Sequence, residues 1–184
     1  MSAGDLLCRL VEKLDAAGIP HMVAGSFAST YHGVPRSTQD IDIVIDPAPD
    51  SLAALLSSLS DHDYYVDADA AREALARRAQ FNLIDMATGW KVDLIVRKAR
   101  AFSIEEFRRR EAAELFGASV FLATAEDSII AKLEWAKLGD SERQLRDVSG
   151  ILSVCADALD LSYIEDWVAK LDLLAQWQRV QPRA

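Results

Sequence analysis

The chain predicts an α/β (α+β) fold: a small mixed β-sheet flanked by helices, with a helical bundle at its C-terminal end. Three observations predict it. Short apolar runs at 20–25, 39–46, 81–86 and 91–96 alternate with stretches of helical periodicity. Gly18, Gly33, Pro47, Pro49 and Gly89 fall at the ends of elements, not inside them. From Thr124 onward every periodic stretch is helical. The expected division is an α/β domain at 1–123 and a helical region at 124–184 packed on it. A chain of 184 residues suffices for one domain with such an appendage.

Leu6, Leu7, Leu10, Val11 and Leu14 recur at helical spacing after Asp5, and Gly18 stops that helix. Residues 20–25 read as a short buried strand, and 26–32 as one or two helical turns ending at Gly33. The second strand, 39–46, is closed by Pro47 and Pro49. Asp50 is the expected cap of a helix with apolar positions Leu52, Leu55, Leu56 and Leu59. A short edge strand at 61–66 and an Arg- and Ala-rich helix at 68–79 follow. Residues 81–86 and 91–96 form a hairpin turning near Gly89. Ser103 and Glu106 have capping-box spacing and open a further helix, and 119–122 is the last strand. Thr124, Ser141 and Ser162 are expected N-caps in the helical region, with a turn at Gly139-Asp140. A long amphipathic helix around Trp167, Leu171, Leu174 and Trp177 ends it.

Composition narrows the function. With 51% hydrophobic and 27% charged residues the chain is globular rather than disordered. A net charge of −9 argues against sequence-independent nucleic-acid binding, which needs a surplus of Lys and Arg. Arginines concentrated between Arg72 and Arg110 leave room for a local basic groove. Cys8 and Cys155 have no C-x-x-C spacing and no clustered His, which argues against zinc and redox chemistry. No apolar run approaches the ~20 residues of a membrane span, so no membrane partner is expected. Leu6-Leu7-Cys8 lacks the basic start and apolar stretch of a secretory signal, so the expected location is cytoplasmic.

The chemistry centres on acids within strands. In Asp40-Ile41-Asp42-Ile43-Val44-Ile45 the two aspartates share one face and the isoleucines the other. Neighbouring carboxylates repel, and a hard divalent cation relieves that repulsion. A third acid, Asp93, sits in the apolar strand 91–96 on the face opposite Val92, Leu94 and Val96. Gly25-Ser26 lies where a strand gives way to a helix, a junction whose unpaired N–H groups favour phosphate.

This order of parts resembles the nucleotidyltransferase superfamily related to DNA polymerase β. Gly25, Ser26, Asp40, Asp42 and Asp93 match its motif positions, and Arg36-Ser37-Thr38-Gln39-Asp40-Ile41-Asp42 resembles the signature of its branch of minimal enzymes and abortive-infection toxins. The stretch from Ala125 to Trp135, and Arg146-Asp147, resemble that branch's helical motifs, so the likeness spans roughly residues 20 to 155. It implies Mg²⁺, two ions, or Mn²⁺, held by catalytic Asp40, Asp42 and Asp93. It also implies a nucleoside triphosphate, ATP first, bound by Gly25, Ser26, Arg36, Thr38 and Lys132. The nucleoside monophosphate would pass to a hydroxyl on a small molecule, a protein side chain or a tRNA, releasing pyrophosphate. The alternative is a catalytically idle member acting as a nucleotide sensor or paired with an antitoxin protein.

Several roles stay open at this level. Arg36 either steadies phosphate or pairs with Asp40 or Asp42. Asp147 either orients Lys132 or pairs locally with Arg143. Trp135, Trp167 and Trp177 read as packing residues, His32 as a surface residue, and Trp90 has no assigned role.

Overall fold

The computed structural model describes residues 2–181. The α/β part runs α1 (Ala3–Ala16), β1 (His21–Val23), α2 (Gly25–His32), β2 (Asp40–Ile45), α3 (Pro49–Ser58), β3 (Tyr64–Val66), α4 (Ala68–Arg77), β4 (Gln80–Asp85), β5 (Lys91–Val96), α5 (Ala101–Arg109), β6 (Glu111–Leu115) and β7 (Ala118–Leu122). Helices α6 (Ala125–Gly139), α7 (Glu142–Cys155), α8 (Leu161–Lys170) and α9 (Leu174–Val180) follow. One mixed sheet of seven strands has the order β3-β4-β5-β2-β1-β7-β6. Its centre pairs β2 with β5 in parallel and β1 with β2 antiparallel. The architecture is the mixed α/β fold with a helical C-terminal part that the sequence predicts.

Two apolar clusters hold the chain together. The first joins Leu6, Leu7, Leu10 and Leu14 of α1 and Leu52 and Leu55 of α3 to Ile41, Ile43 and Ile45 behind the sheet. The second gathers Ile129, Ile130 and Leu133 of α6, Val148 and Ile151 of α7, and Ile164 and Trp177 beyond. Phe102 of α5 belongs to this helical cluster although it precedes the sheet's last two strands. Burying such side chains contributes about 1.5–3 kcal/mol each.

Several local expectations are corrected. Asp50 does not cap α3: Ala48 takes the N-cap, and Pro49 enters the first turn, where a missing N–H costs nothing. Ser103 does not open α5, which begins at Ala101. The Arg100 Nε donates to Ser103 Oγ at 3.0 Å, and Glu106 is buried instead of bonding back to the helix start. Asp160, not Ser162, caps α8 by accepting from the Tyr163 N–H. Ser141 holds the N-cap place of α7 without a side-chain bond, whereas Thr124 caps α6 through the Asp127 N–H. The last helix is two helices, broken at Asp172, whose φ of 55° is left-handed. Strand β6 is unanticipated. It pairs with β7 around the positive-φ turn Phe116-Gly117.

Candidate active site

The register of β2 and β5 places Asp42 beside Asp93 and Asp40 beside Lys91. Alternation along β2 sends Ile41, Ile43 and Ile45 fully into the core and leaves Asp40, Asp42 and Val44 on the opposite face. In-register neighbours on parallel strands share a face, so Asp93, 8% exposed, lies on the same surface as Asp42. Burial first, and then the charges of Asp93 and Asp40, raise the Asp42 pKa above the usual carboxylate value.

The Gly25-Ser26 turn closes on that acid. Gly25 adopts φ 58°, and a Cβ there would collide with the Asp42 carboxylate, so both conformation and space call for glycine. The Ser26 backbone N–H hydrogen-bonds to Asp42, opposing the upward shift. The N-terminus of α2 therefore already faces negative charge.

Lys91 was not among the residues the sequence singled out. Its Nζ lies 2.9 Å from Asp93 Oδ1 and 3.1 Å from Oδ2, although Oδ1 receives no well-directed hydrogen bond. The hydrogen bond to Asp93, helped by the charges of Asp93, Asp40 and Asp42, raises the Lys91 pKa against the opposing effect of burial. The available signal was its place two residues before Asp93, on the same strand face. Among the described residues, no group of three or more His, Cys, Asp or Glu side chains is arranged to hold a metal ion as they stand. The donor set nonetheless has the chemistry of a hard-cation site: oxygen-only carboxylates that repel one another and already draw in an ammonium.

Lys132, which lines the cleft, belongs to an ion-pair network with Arg36 and Asp147. Arg36 pairs with neither Asp40 nor Asp42. Its Nε and Nη2 donate to the two oxygens of Asp147 at 2.8 and 3.0 Å, and Nη2 also reaches Ser26 Oγ at 2.6 Å. Lys132 of α6, 4% exposed, donates to the same Asp147 at 2.7 Å. Asp147 thus engages Lys132 and Arg36 rather than Arg143. Burial works to raise the Asp147 pKa, but the hydrogen bonds from Arg36 and Lys132 prevail and lower it. Burial lowers the Lys132 pKa despite its partner. Thr38 lines the cleft beside the acids, its hydroxyl donating to the Asp40 carbonyl at 3.2 Å.

The remaining candidates separate. The His32 ring stands 2.8 Å from the Ala123 carbonyl, half-buried rather than on the surface. Trp90 packs edge-on against Phe27, Trp167 against Phe102, and Trp177 is buried. Trp135 does not pack: it is 56% exposed at the cleft. The cleft, about 430 Å³, runs from Gly25, Ser26, Asp40, Asp42 and Asp93 past Lys132 to Ser103 and Glu106 of α5. Glu106, read from sequence as a capping residue, is a buried carboxyl whose pKa is pushed up to about 8, by burial and then by Asp127.

No family model and no curated protein matches the chain. Solved structures do. ANT(2'')-Ia in complex with adenylyl-2''-tobramycin aligns over 98% of this chain and 100% of its own, at 14% identity and TM-score 0.61. An antigenic nucleotidyltransferase-like protein from Paracoccidioides brasiliensis aligns over 95% and 91%, at 18% identity and TM-score 0.57. The lincosamide antibiotic adenylyltransferase LnuA, lincomycin-bound, aligns over 84% and 98%, at 11% identity and TM-score 0.56. The chain has the nucleotidyltransferase fold.

Proposed function

We propose that this protein is a metal-dependent nucleotidyltransferase, moving a nucleoside monophosphate from an NTP, ATP first, to a hydroxyl acceptor. The observation that carries the reading is the in-register pair Asp42 and Asp93 beneath the Gly25-Ser26 turn, opposite Arg36 and Lys132. Asp40, Asp42 and Asp93 would hold Mg²⁺ or Mn²⁺, which supplies Lewis-acid stabilisation of the phosphoryl oxygens and eases deprotonation of the attacking hydroxyl. Lys91 now offsets part of the same negative charge.

The chain's own residues perform the rest. Gly25 lets the turn close on Asp42, which seats phosphate beside Ser26, and the Ser26 hydroxyl with the Arg36 and Lys132 cations binds its oxygens. Asp93 accepts the acceptor's proton as the new O–P bond forms at the α-phosphorus. The bond from that phosphorus to the β-phosphate breaks, and pyrophosphate leaves against Lys132 and Arg36. Positioning and charge neutralisation account for such chemistry without a covalent enzyme intermediate.

A small hydroxylated molecule is the acceptor proposed first, because two proteins of this fold were solved with adenylyl-2''-tobramycin and lincomycin. A protein side chain or a tRNA end would be separated from it in the same assay. Each labelled NTP is incubated with the full chain and a cell extract, with and without Mg²⁺, and products are sorted by size. Mg²⁺-dependent transfer lost in Asp42→Asn supports the reading. Tight NTP binding without transfer to any fraction would instead favour an idle nucleotide sensor, and absence of binding would end both.

A further inference from the structure

Trp135 is an exposed indole on the wall of the cleft, and among the described residues its ring contacts no other ring or cation. Its neighbours explain why that is informative. Helices α6 and α7 are joined by the tight turn at Asp140, whose φ is 43°, and they meet at the Lys132–Asp147 ion pair. Trp135 lies three residues after Lys132, and Gln144 three residues before Asp147. Both therefore stand one helical turn, about 5 Å, further along the same facing surfaces. Gln144 lines the same cleft, and its Oε1 is buried with no hydrogen-bond partner. That oxygen and the amide nitrogen are interchangeable by a flip of the carboxamide, so the group offers one donor and one acceptor in either sense.

The spacing matches a nucleotide. Phosphate chemistry sits at Arg36, Lys132 and Ser26. One turn away, roughly the breadth of a ribose, are a free aromatic face and an unsatisfied amide. We propose that Trp135 and Gln144 form the nucleobase subsite: the indole stacks on the base, and the carboxamide reads an edge presenting a donor beside an acceptor, as adenine does. Glutamine pairs with adenine's N6–H and N7 in this way, and an indole stacks on any base. The inference rests on the nucleotidyltransferase reading and adds to it a residue for affinity and a residue for choice of base.

The test measures binding of ATP, GTP, CTP and UTP to the full chain in Mg²⁺ by calorimetry, together with tryptophan fluorescence. Expected results are an ATP-dependent emission change that disappears in Trp135→Phe, and dissociation constants at least tenfold weaker for all four NTPs in Trp135→Ala. Trp135→Phe, which keeps a stacking face, should retain most of the affinity. Gln144→Ala should bind GTP, CTP and UTP about as the wild type does, while its ATP affinity falls to their level. In transfer assays Trp135→Ala should raise the KM for NTP more than it lowers kcat. If wild-type protein binds and transfers NTP but Trp135→Ala binds it equally tightly, or Gln144→Ala keeps the wild-type ranking, the subsite is refuted and the function stands. If the wild type binds no NTP, both fall.

Discussion

The two walls of the cleft solve opposite electrostatic problems. The strand wall brings like charges together: Asp42 faces Asp93 in register, and burial with this repulsion raises the Asp42 pKa. The helical wall brings unlike charges together, with Arg36 and Lys132 sharing the two oxygens of Asp147. On one wall a single ammonium, Lys91, offsets only part of the acids' charge, and the other wall has already satisfied its own. A ligand carrying cations beside a polyanion complements both, which is the composition of a metal–NTP complex. The difference teaches that the acids alone describe half a site, because their counterpart is an internal ion pair that must share its donors.

Substitutions on the two walls should therefore diverge. Asp42→Asn should lower transfer by roughly 10³-fold, the scale of losing a group that acts on transition-state charge. It should nevertheless leave the metal-free fold no less stable by urea denaturation, because it removes a repelled carboxylate. A clear loss of stability in that variant would break the comparison. Asp147→Asn should do the reverse on the helical wall, costing about 3 kcal/mol by leaving buried Lys132 without its counter-ion. Its loss should appear as a lower urea midpoint even without nucleotide. The Asp147 pKa is lowered by folding, so its contribution is present at neutral pH. It is lost as acid titrates the group below the usual carboxylate range.

Glu106 sharpens the contrast through pH. Its neighbours are Asp127 and Glu134 on α6 and Arg100 ahead of α5, with Arg100 itself held by Glu134 at 2.5 and 2.6 Å. The folded pKa of about 8 lies above the ordinary 4.5, so the folded protein binds the extra proton between those values. Stability should consequently fall as pH rises from the ordinary range through 8. Glu106→Gln should flatten that fall, with a gain on the order of 2 kcal/mol at pH 9, or roughly 4–8 °C in Tm. An unchanged pH–Tm curve would count against a buried, unpaired carboxyl. The smallest effect expected is at Thr38, which bonds only its own loop: Thr38→Ala should change stability by less than about 0.5 kcal/mol.

The same division marks what could be read from sequence. The strands at 39–46 and 91–96, the Gly25-Ser26 turn and the Thr124 cap follow from local periodicity and backbone chemistry, and the structure has them. Strand β6 was missed because Glu111-Ala112-Ala113-Glu114-Leu115 has little β propensity, and only pairing with β7 makes it a strand. Helix α5 starts early because Phe102 docks in the helical cluster and Arg100 is fixed by Glu134. The break in the final helix was missed because nothing local in Leu171-Asp172-Leu173 announces a left-handed residue.

By itself, the sequence determined which side chains share a strand face and which turn needs glycine, since alternation and steric exclusion act within a few residues. Only the tertiary structure decided what the cations do. Arg36 meets Asp147 across 111 positions, Lys132 meets the same acid from the neighbouring helix, and Trp135 is left uncovered at the cleft. Charge pairing and burial depend on distance in space, and no local period encodes which distant residue will arrive there.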